Sequence, residues 1–421
     1  MRHIFDIDWC CTDVLGLSRV CRLWRDIAER CTILWHQFSI SPATSHSPWS
    51  SHPKTIRPTR LVQKYLINSC QAPLDIIIHF PGLEDYGWKP HGVVASMYRA
   101  FEEIIKHAHR WRSIKLLVDE DCDRCVDNAT RICIHQVANM LWKGGALLEA
   151  RRLELLHICL TSDVNYNSQH FQNCSTNSIE IVSTYLLQLR HLRLDSFVGA
   201  IPSKMLEHVT DLSIGDTCRH PLSVSSTLAI LDHCANLVHL TIRYMPSAAH
   251  QADVKQLSNL KTIWFIDVAW PNRALGWVSA PALQTIEVSS KRRHTSEILS
   301  YASVVQLMGS ETHLSQICHL DFSGANVKNN SLQRLLASCM HASRIIFRAS
   351  TKDEARTGVL QDLRESMPER MGGVDGNTVH ITITEWLGAG KAYRSANTEF
   401  LRLKRNCTKF SAPADFIFKC W

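Results

Sequence analysis

Apolar residues recur along this chain at two spacings. From Leu17 they fall at Leu17, Val20, Cys21, Trp24, Ile27 and Ala28, the roughly 3.6-residue recurrence of one helical face. Arg19, Arg22, Arg25 and Asp26 lie largely off that face, toward solvent. Thr12 or Asp13 would cap such a helix, because a short side-chain oxygen can accept from an orphan backbone N–H. Leu34 and Trp35 form a second apolar pair after a polar break. Alone, this pattern predicts a short amphipathic helix packed on its own core. Residues 41–59, SPATSHSPWSSHPKTIRPT, have no sustained period and read as a linker or exposed loop. Leu61, Tyr65 and Leu66 predict a helix over residues 60–70, Pro73 ends it, and Leu74, Ile76 and Ile78 begin a strand.

The second spacing is a phrase: apolar, two variable residues, apolar, one polar, apolar. It stands at Leu189-Arg-His-Leu192-Arg-Leu194, Val209-Thr-Asp-Leu212-Ser-Ile214, Leu237-Val-His-Leu240-Thr-Ile242, Leu260-Lys-Thr-Ile263-Trp-Phe265, Leu283-Gln-Thr-Ile286-Glu-Val288 and Ile317-Cys-His-Leu320-Asp-Phe322. Weaker relatives are Ile114-Lys-Leu116, Leu153-Glu-Leu155 and Ile345-Ile-Phe347. The second anchors of the clear set are 20, 28, 23, 23 and 34 residues apart. Leucine-rich repeats carry an LxxLxL strand phrase at about 20–29 residues, so the phrase predicts a solenoid of short parallel strands whose polar positions line an outer face. Helix-like stretches at residues 226–233 and 331–339 separate strands. The asparagine usual after such a phrase is replaced by Asp195, Asp216, Tyr244, Asp267 or Gly324, so the repeats are degenerate. An ordinary α/β domain whose parallel strands share a phrase is the other reading of the same spacing. Residues 351–376 are charged and then Gly-rich, Val379, Ile381 and Ile383 alternate as a terminal strand, and the tail is basic.

The order of residues in the N-terminal stretch resembles an F-box, the small helical module that docks a protein onto the Skp-type adaptor of a cullin–RING ubiquitin ligase. The matching pieces are Ile4-Phe5, then Leu15-Gly-Leu17-Ser-Arg-Val20-Cys21-Arg-Leu-Trp24-Arg-Asp-Ile27-Ala28, then Leu34-Trp35. The phrase SRVCRLWRDIA is similar to that of the large fungal branch of the family, whose members carry bodies of this repeat style. The resemblance covers roughly the first 40 residues at motif strength. It implies adaptor contacts through Ile4, Phe5, Leu17, Val20 and Cys21, with Trp24, Ile27 and Trp35 packing the module. The family opens with a Leu-Pro-x-Glu element before the Ile-Phe pair, and Met1 stands three residues before Ile4. Either the reading starts late or this copy has lost part of its docking surface.

The expected organisation is an F-box-like helical module over 1–40, a linker over 41–59, a leucine-rich-repeat-like domain over 60–390 and a basic tail or cap over 391–421. An isolated module of ~40 residues rarely buries enough surface to stand alone, so it should lean on the body or a partner. The class is α/β.

Composition changes little. The 421 residues are 45% hydrophobic and 20% charged, as in folded globular chains. The net charge of +7 is mild over this length. The basic clusters at residues 291–294 and 402–405 lack interleaved aromatics and read as solvated surface, with no nucleic-acid partner expected. The opening MRHIFDIDWC lacks a basic-then-apolar leader. The 16 cysteines are therefore expected as free thiols, Cys21, Cys159, Cys234, Cys318 and Cys339 in core patterns, and the location as cytoplasmic or nuclear. No apolar run approaches the ~20 residues of a membrane helix.

Candidate chemistry is sparse. Cys122, Cys125, Cys133 and His135 could close a zinc site, but only one CxxC knuckle is present and no metal or cofactor is expected. Leu387-Gly-Ala-Gly390-Lys391 lacks the flanking Gly and Ser/Thr of a phosphate loop, Glu385 and Ala392 standing there instead. No GxSxG or HExxH is present, so no catalytic residue is expected. The sequence reads as the substrate-recognition subunit of a Skp–cullin–F-box ligase. Its partners would be the adaptor, the cullin scaffold and an unknown protein target met at Arg193, Ser213, Thr241, Trp264, Glu287 and Asp321, the outward positions between anchors. A non-ligase interaction scaffold that has lost adaptor binding is the alternative.

Overall fold

The recurrent phrase folds as a strand preceded by a tight turn. In the computed structural model the described residues are 18, 20–40, 58–80, 90–118, 140–141, 146–159, 186–195, 203–215, 224–243, 254–268, 274–289, 298–327, 329–339, 342, 344–349, 380–385 and 416–420. The chain forms two units, Met1–Val209 with Asp216–His220, and Thr210–Gly215 with Pro221–Trp421.

The first unit contains α1 (Arg22–Arg30), β1 (Gln37–Ile40), α2 (Pro58–Asn68), β2 (Leu74–Phe80), α3 (Pro90–Ile105), β3 (Trp111–Val118), α4 (Ala146–Glu149), β4 (Leu155–Cys159), β5 (His191–Asp195) and α5 (Ser203–Leu206). Strands β1 to β5 pair in parallel and in chain order. Their register aligns Phe38, Ile76, Ile114, Leu156 and Leu192 in one row and Ile40, Ile78, Leu116, Ile158 and Leu194 in the next. All ten are buried. On α3, Met97, Ala100, Phe101 and Ile104 form the buried stripe, and on α2 Val62, Tyr65 and Leu66 do the same.

The second unit contains β6 (Asp211–Gly215), α6 (Val224–Leu231), β7 (His239–Arg243), β8 (Lys255–Gln256), β9 (Thr262–Ile266), β10 (Val278–Ser279), β11 (Thr285–Ser289), β12 (Ile298–Leu299), α7 (Tyr301–Met308), β13 (His319–Val327), α8 (Asn329–Ser338), β14 (Arg344–Ala349), β15 (His380–Glu385) and β16 (Phe416–Cys420). Its main sheet runs β6-β7-β9-β11-β13-β14-β15-β16, again parallel. Leu212, Leu240, Ile263, Ile286 and Leu320 form one buried row. β8 and β10 make a separate two-stranded sheet, and β12 pairs with the end of β13.

The same turn precedes β4, β5, β7, β9, β11 and β13. The N–H of the phrase's first apolar residue donates to the carbonyl three residues earlier: Leu153 to Ala150 (3.0 Å), Leu189 to Leu186 (3.1 Å), Leu237 to Cys234 (3.2 Å), Leu260 to Leu257 (3.1 Å), Leu283 to Ala280 (3.2 Å) and Ile317 to Leu314 (3.2 Å). Every one of those residues is buried. The repeating unit is thus one apolar position longer than the sequence phrase.

Three expectations are corrected. Trp35-x-x-Phe38-x-Ile40 is itself a copy of the phrase, with the Trp35 N–H donating to Thr32 at 3.1 Å. Because β1 pairs with β2, the body begins before residue 40 rather than at 60. The fourth-strand phrase is Leu153-x-x-Leu156-x-Ile158, not Leu153-Glu-Leu155: Leu155 and Leu156 are both apolar, and pairing with β3 seats Leu156 beside Ile114. The N-terminal stripe is not one continuous helix, for Cys21 is extended (φ −157°, ψ 175°) and α1 starts after it. Among the other predicted elements, α2, α6 and α8 each start two residues before the predicted helix and β15 runs His380–Glu385. No sequence prediction covers α3, α7, β8, β10, β12 and β16. β16 pairs with β15, so the strand expected to be terminal is not the last, and the sheet continues into the segment expected as a tail or cap.

Candidate docking surfaces

Helix α1 turns its small side inward. Ala28 is buried and its carbonyl accepts from Trp35 Nε1–H at 2.5 Å. The buried Trp35 ring meets Tyr65 of α2 edge-on, centroids 4.9 Å apart, and Tyr65 in turn meets Phe38 at 5.3 Å. Lys64 lies 5.4 Å from the Trp35 centroid and 3.4 Å from Glu29. Arg25 Nε–H donates to the Ser18 carbonyl at 2.9 Å, bridging the interruption at Cys21. Trp35 is therefore a body residue that also anchors α1.

The outer side of α1 is apolar and is not covered by the described residues. On the helix Leu23 is 66% exposed, Trp24 44% and Ile27 48%, and Val20 before the break at Cys21 (67%) and Ile33 beyond the helix (64%) are exposed too. This corrects the assignment of Trp24 and Ile27 to a module core, because Ala28 and Trp35 already fill the inner side. Val20 and Cys21, expected at the adaptor interface, are both exposed. Ile4, Phe5 and Leu17 lie outside the described residues. Leu23 and Ile33 were not among the predicted contacts. The signal for Leu23 was its spacing, four before Ile27 on the same helix.

On the second unit the register joins five of the six outward positions into one row: Ser213 beside Thr241, Thr241 beside Trp264, Trp264 beside Glu287, Glu287 beside Asp321. Arg193 belongs to the first unit's row, next to His157. Trp264 is 42% exposed, whereas its strand neighbours Ile263 and Phe265 are buried. Asp321 Oδ1 accepts the Ser323 N–H at 2.9 Å. At the end of the row above, Gly215 packs against Arg243 so closely that a Cβ there would lie 2.3 Å from Arg243 Cβ.

Two polar clusters in the first unit are structural. Arg110 is a fully buried guanidinium that donates to the Ala72 carbonyl (Nε 3.1 Å, Nη2 3.0 Å), to Ser69 Oγ (2.7 Å) and to the Leu66 carbonyl (3.5 Å). It caps the C-terminal end of α2, where the helix dipole favours a cation, and burial pulls its pKa down. Arg112 grips Asp75 with a forked pair, Nε–Oδ1 at 3.0 Å and Nη2 on Oδ2, and this hydrogen bonding raises its pKa.

Of the thiols expected in core patterns, Cys234 and Cys339 are buried, and burial pushes the Cys234 thiol up to about 12. Cys21 and Cys318 are exposed, which corrects that expectation: neither sits at an anchor position. Cys122, Cys125, Cys133, His135 and both basic clusters lie outside the described residues. Among the described residues no group of His, Cys, Asp and Glu is disposed to hold a metal, and no helix is long and apolar enough to cross a membrane. A comparison with family models and with curated proteins returned no match.

Proposed function

We propose that this chain is the target-recognition subunit of a Skp–cullin–F-box ubiquitin ligase. The stripe Val20, Leu23, Trp24 and Ile27 docks the adaptor, and a leucine-rich-repeat-like solenoid presents a protein target from its outer strand row. The observation carrying this reading is the exposed stripe on α1. A surface helix normally turns its apolar face to the core, and each large apolar side chain left in water forgoes about 1.5–3 kcal/mol of burial. Contiguous exposure of this kind marks a partner surface. The SRVCRLWRDIA phrase supplies the kind of partner. Support for the solenoid reading comes from strict chain order with parallel pairing inside each unit, and from one strand face of buried anchors opposite a half-exposed polar row. The chain performs no chemistry; it raises the concentration of a target lysine near a charged conjugating enzyme, in the cytoplasm or nucleus.

Co-expression with a Skp-type adaptor tests this. The chain should be captured as a complex, and Leu23→Glu with Ile27→Glu should abolish capture while leaving the melting temperature of the chain within a few degrees, since both side chains are exposed. Failure of the unaltered chain to bind the adaptor would overturn the reading.

A further inference from the structure

We infer that the first unit binds a small phosphate monoester in the cavity where β2, β3 and β4 begin, with Arg110 and Arg152 as its cationic contacts. The site is separate from both docking surfaces and does not rest on the ligase reading. The cavity is open to solvent and has a volume of about 700 Å³, within the range of about 300–1,000 Å³ usual for small-ligand sites. Its polar lining is Gln71, His109, Arg110, Glu149, Arg151 and Arg152. Gln71 precedes β2, His109 and Arg110 precede β3, and the other three precede β4. These strands are parallel neighbours in chain order. Turns far apart in sequence therefore meet along one rim, about 5 Å per strand.

Arg110 is a fully buried cation with no acidic partner among the described residues. Its acceptors are the Ala72 and Leu66 carbonyls and the Ser69 hydroxyl. The one titratable group acting on it is the Cys70 thiol, not a carboxylate. The end of α2 offers roughly half a negative charge, so the guanidinium is under-compensated in a place where an unpaired charge is costly. Its four hydrogen bonds use four of five N–H groups, and the fifth, on Nη1, has no acceptor among the described residues. Gln71, His109, Glu149 and Arg152 are exposed and make no hydrogen bond or ion pair with a described residue. Arg151 has a contact of its own and is not required. Two guanidinium groups against the single carboxylate of Glu149 favour an anion. The donors come from three turns, so the acceptor needs oxygens facing several directions. A phosphate monoester presents three and carries close to two negative charges, whereas a carboxylate presents two in one plane. The positive field is felt nearby: His107, its ring 6.3 Å from that of His109, has its pKa lowered by burial and then by Arg110 and His109. Glu149 opposes the anion, which fixes the sign of one test.

The test is isothermal titration of the full chain with glycerol phosphate at constant ionic strength, with glycerol and a phosphoserine peptide as comparisons. Glycerol phosphate should saturate one site, and glycerol should give no signal. Arg152→Gln should weaken binding about tenfold, and Glu149→Gln should tighten it several-fold. Both side chains are exposed, so unchanged melting curves should accompany both changes. Lys261→Gln removes the same charge from an exposed position of the second unit and should leave the affinity as it was. Absence of binding at about 10 mM glycerol phosphate, or equal effects of Arg152→Gln and Lys261→Gln, overturns the site. Tighter binding of the phosphoserine peptide than of glycerol phosphate overturns the assignment to a small ligand.

Discussion

The two units use one strand phrase and differ in what joins the strands. In the first, the aligned anchors Phe38, Ile76, Ile114, Leu156 and Leu192 are 38, 38, 42 and 36 residues apart; in the second, Leu212, Leu240, Ile263, Ile286, Leu320 and Ile345 are 28, 23, 23, 34 and 25 apart. The longer joins hold α2 and α3, each with a buried apolar stripe. The joins flanking β9 carry the two-residue strands β8 and β10 and a helical stretch at residues 274–275 among their described residues. The strand face demands inward apolar residues at fixed register. The back layer demands only that something apolar cover it, and either a helix or a short strand does so. Long helices bring ends with unsatisfied carbonyls, and the first unit meets that need with a buried arginine. The second unit, with tighter joins, relies on close backbone approach and on a side-chain cluster around Tyr301.

The strand anchors should dominate stability in both units. Phe265→Ala removes a fully buried ring from the centre of β9 and should cost about 3–5 kcal/mol. Hydrogen exchange should show the loss first at the amides of β7, β9 and β11. A cost below about 1 kcal/mol would mean that the anchor row is not the core of this unit.

Arg110→Met breaks the first unit in a different way. It keeps the stem and deletes every donor to Leu66, Ser69 and Ala72. The part-buried Ala72 carbonyl loses both guanidinium donors while Leu66 keeps the Ser69 hydroxyl, so the change should cost about 1–3 kcal/mol. Protection should fall over residues 66–72, and no equivalent loss should appear in the second unit, where no buried arginine caps a helix among the described residues.

These elements were not equally legible in the sequence. The clear strands were, because neither a helix nor a loop repeatedly produces alternation with an apolar residue three positions before it. β4 slipped by one because two leucines adjoin, and sequence spacing cannot choose between them before a neighbouring strand fixes the register. β1 was hidden because Trp35 fits two patterns at once, the end of a docking module and the start of a strand. β8 and β10 are too short to carry a period. The outward strand row was readable from alternation, including Trp264. The α1 surface was only half readable: periodicity reveals that Trp24 and Ile27 share a face, but not that the helix breaks at Cys21 or whether the body covers that face. Trp35 and Ala28 decide that, and their role depends on a contact with Tyr65 some 30 residues away.

Gly215→Ala probes the tighter approach in the second unit. The new Cβ would meet Arg243 Cβ at 2.3 Å and its carbonyl oxygen at 2.8 Å. Backbone cannot give way as a flexible side chain can, so the ends of β6 and β7 must part. The expected cost is about 1–3 kcal/mol, read as a lower urea midpoint with an unchanged slope.

The smallest effect separates the units by pH. In the second unit Tyr301 OH donates to Glu311 and lies 3.0 Å from Ser338 Oγ, while Arg334 stacks 4.0 Å over the Tyr301 ring and reaches Glu311 at 3.4 Å. The Tyr301 hydrogen bond, with Arg334 assisting, holds the Glu311 carboxyl below its ordinary 4.5. Burial, and then the bond to Glu311, raises the Tyr301 phenol above 10. A depressed carboxyl adds stability that is present above pH 4.5 and lost as pH falls through its folded value. A raised phenol adds stability that is present below pH 10 and lost as pH rises through its folded value. Tyr301→Phe should therefore cost about 1 kcal/mol near neutrality, move the Glu311 titration back toward 4.5 by NMR, and flatten both pH limbs of the second unit's stability. Arg110, the helix cap of the first unit, hydrogen-bonds to carbonyls and a hydroxyl, none of which titrates in this range. If Tyr301→Phe left both limbs unchanged, the cluster would be a packing contact only, and pH would no longer distinguish the two units through it.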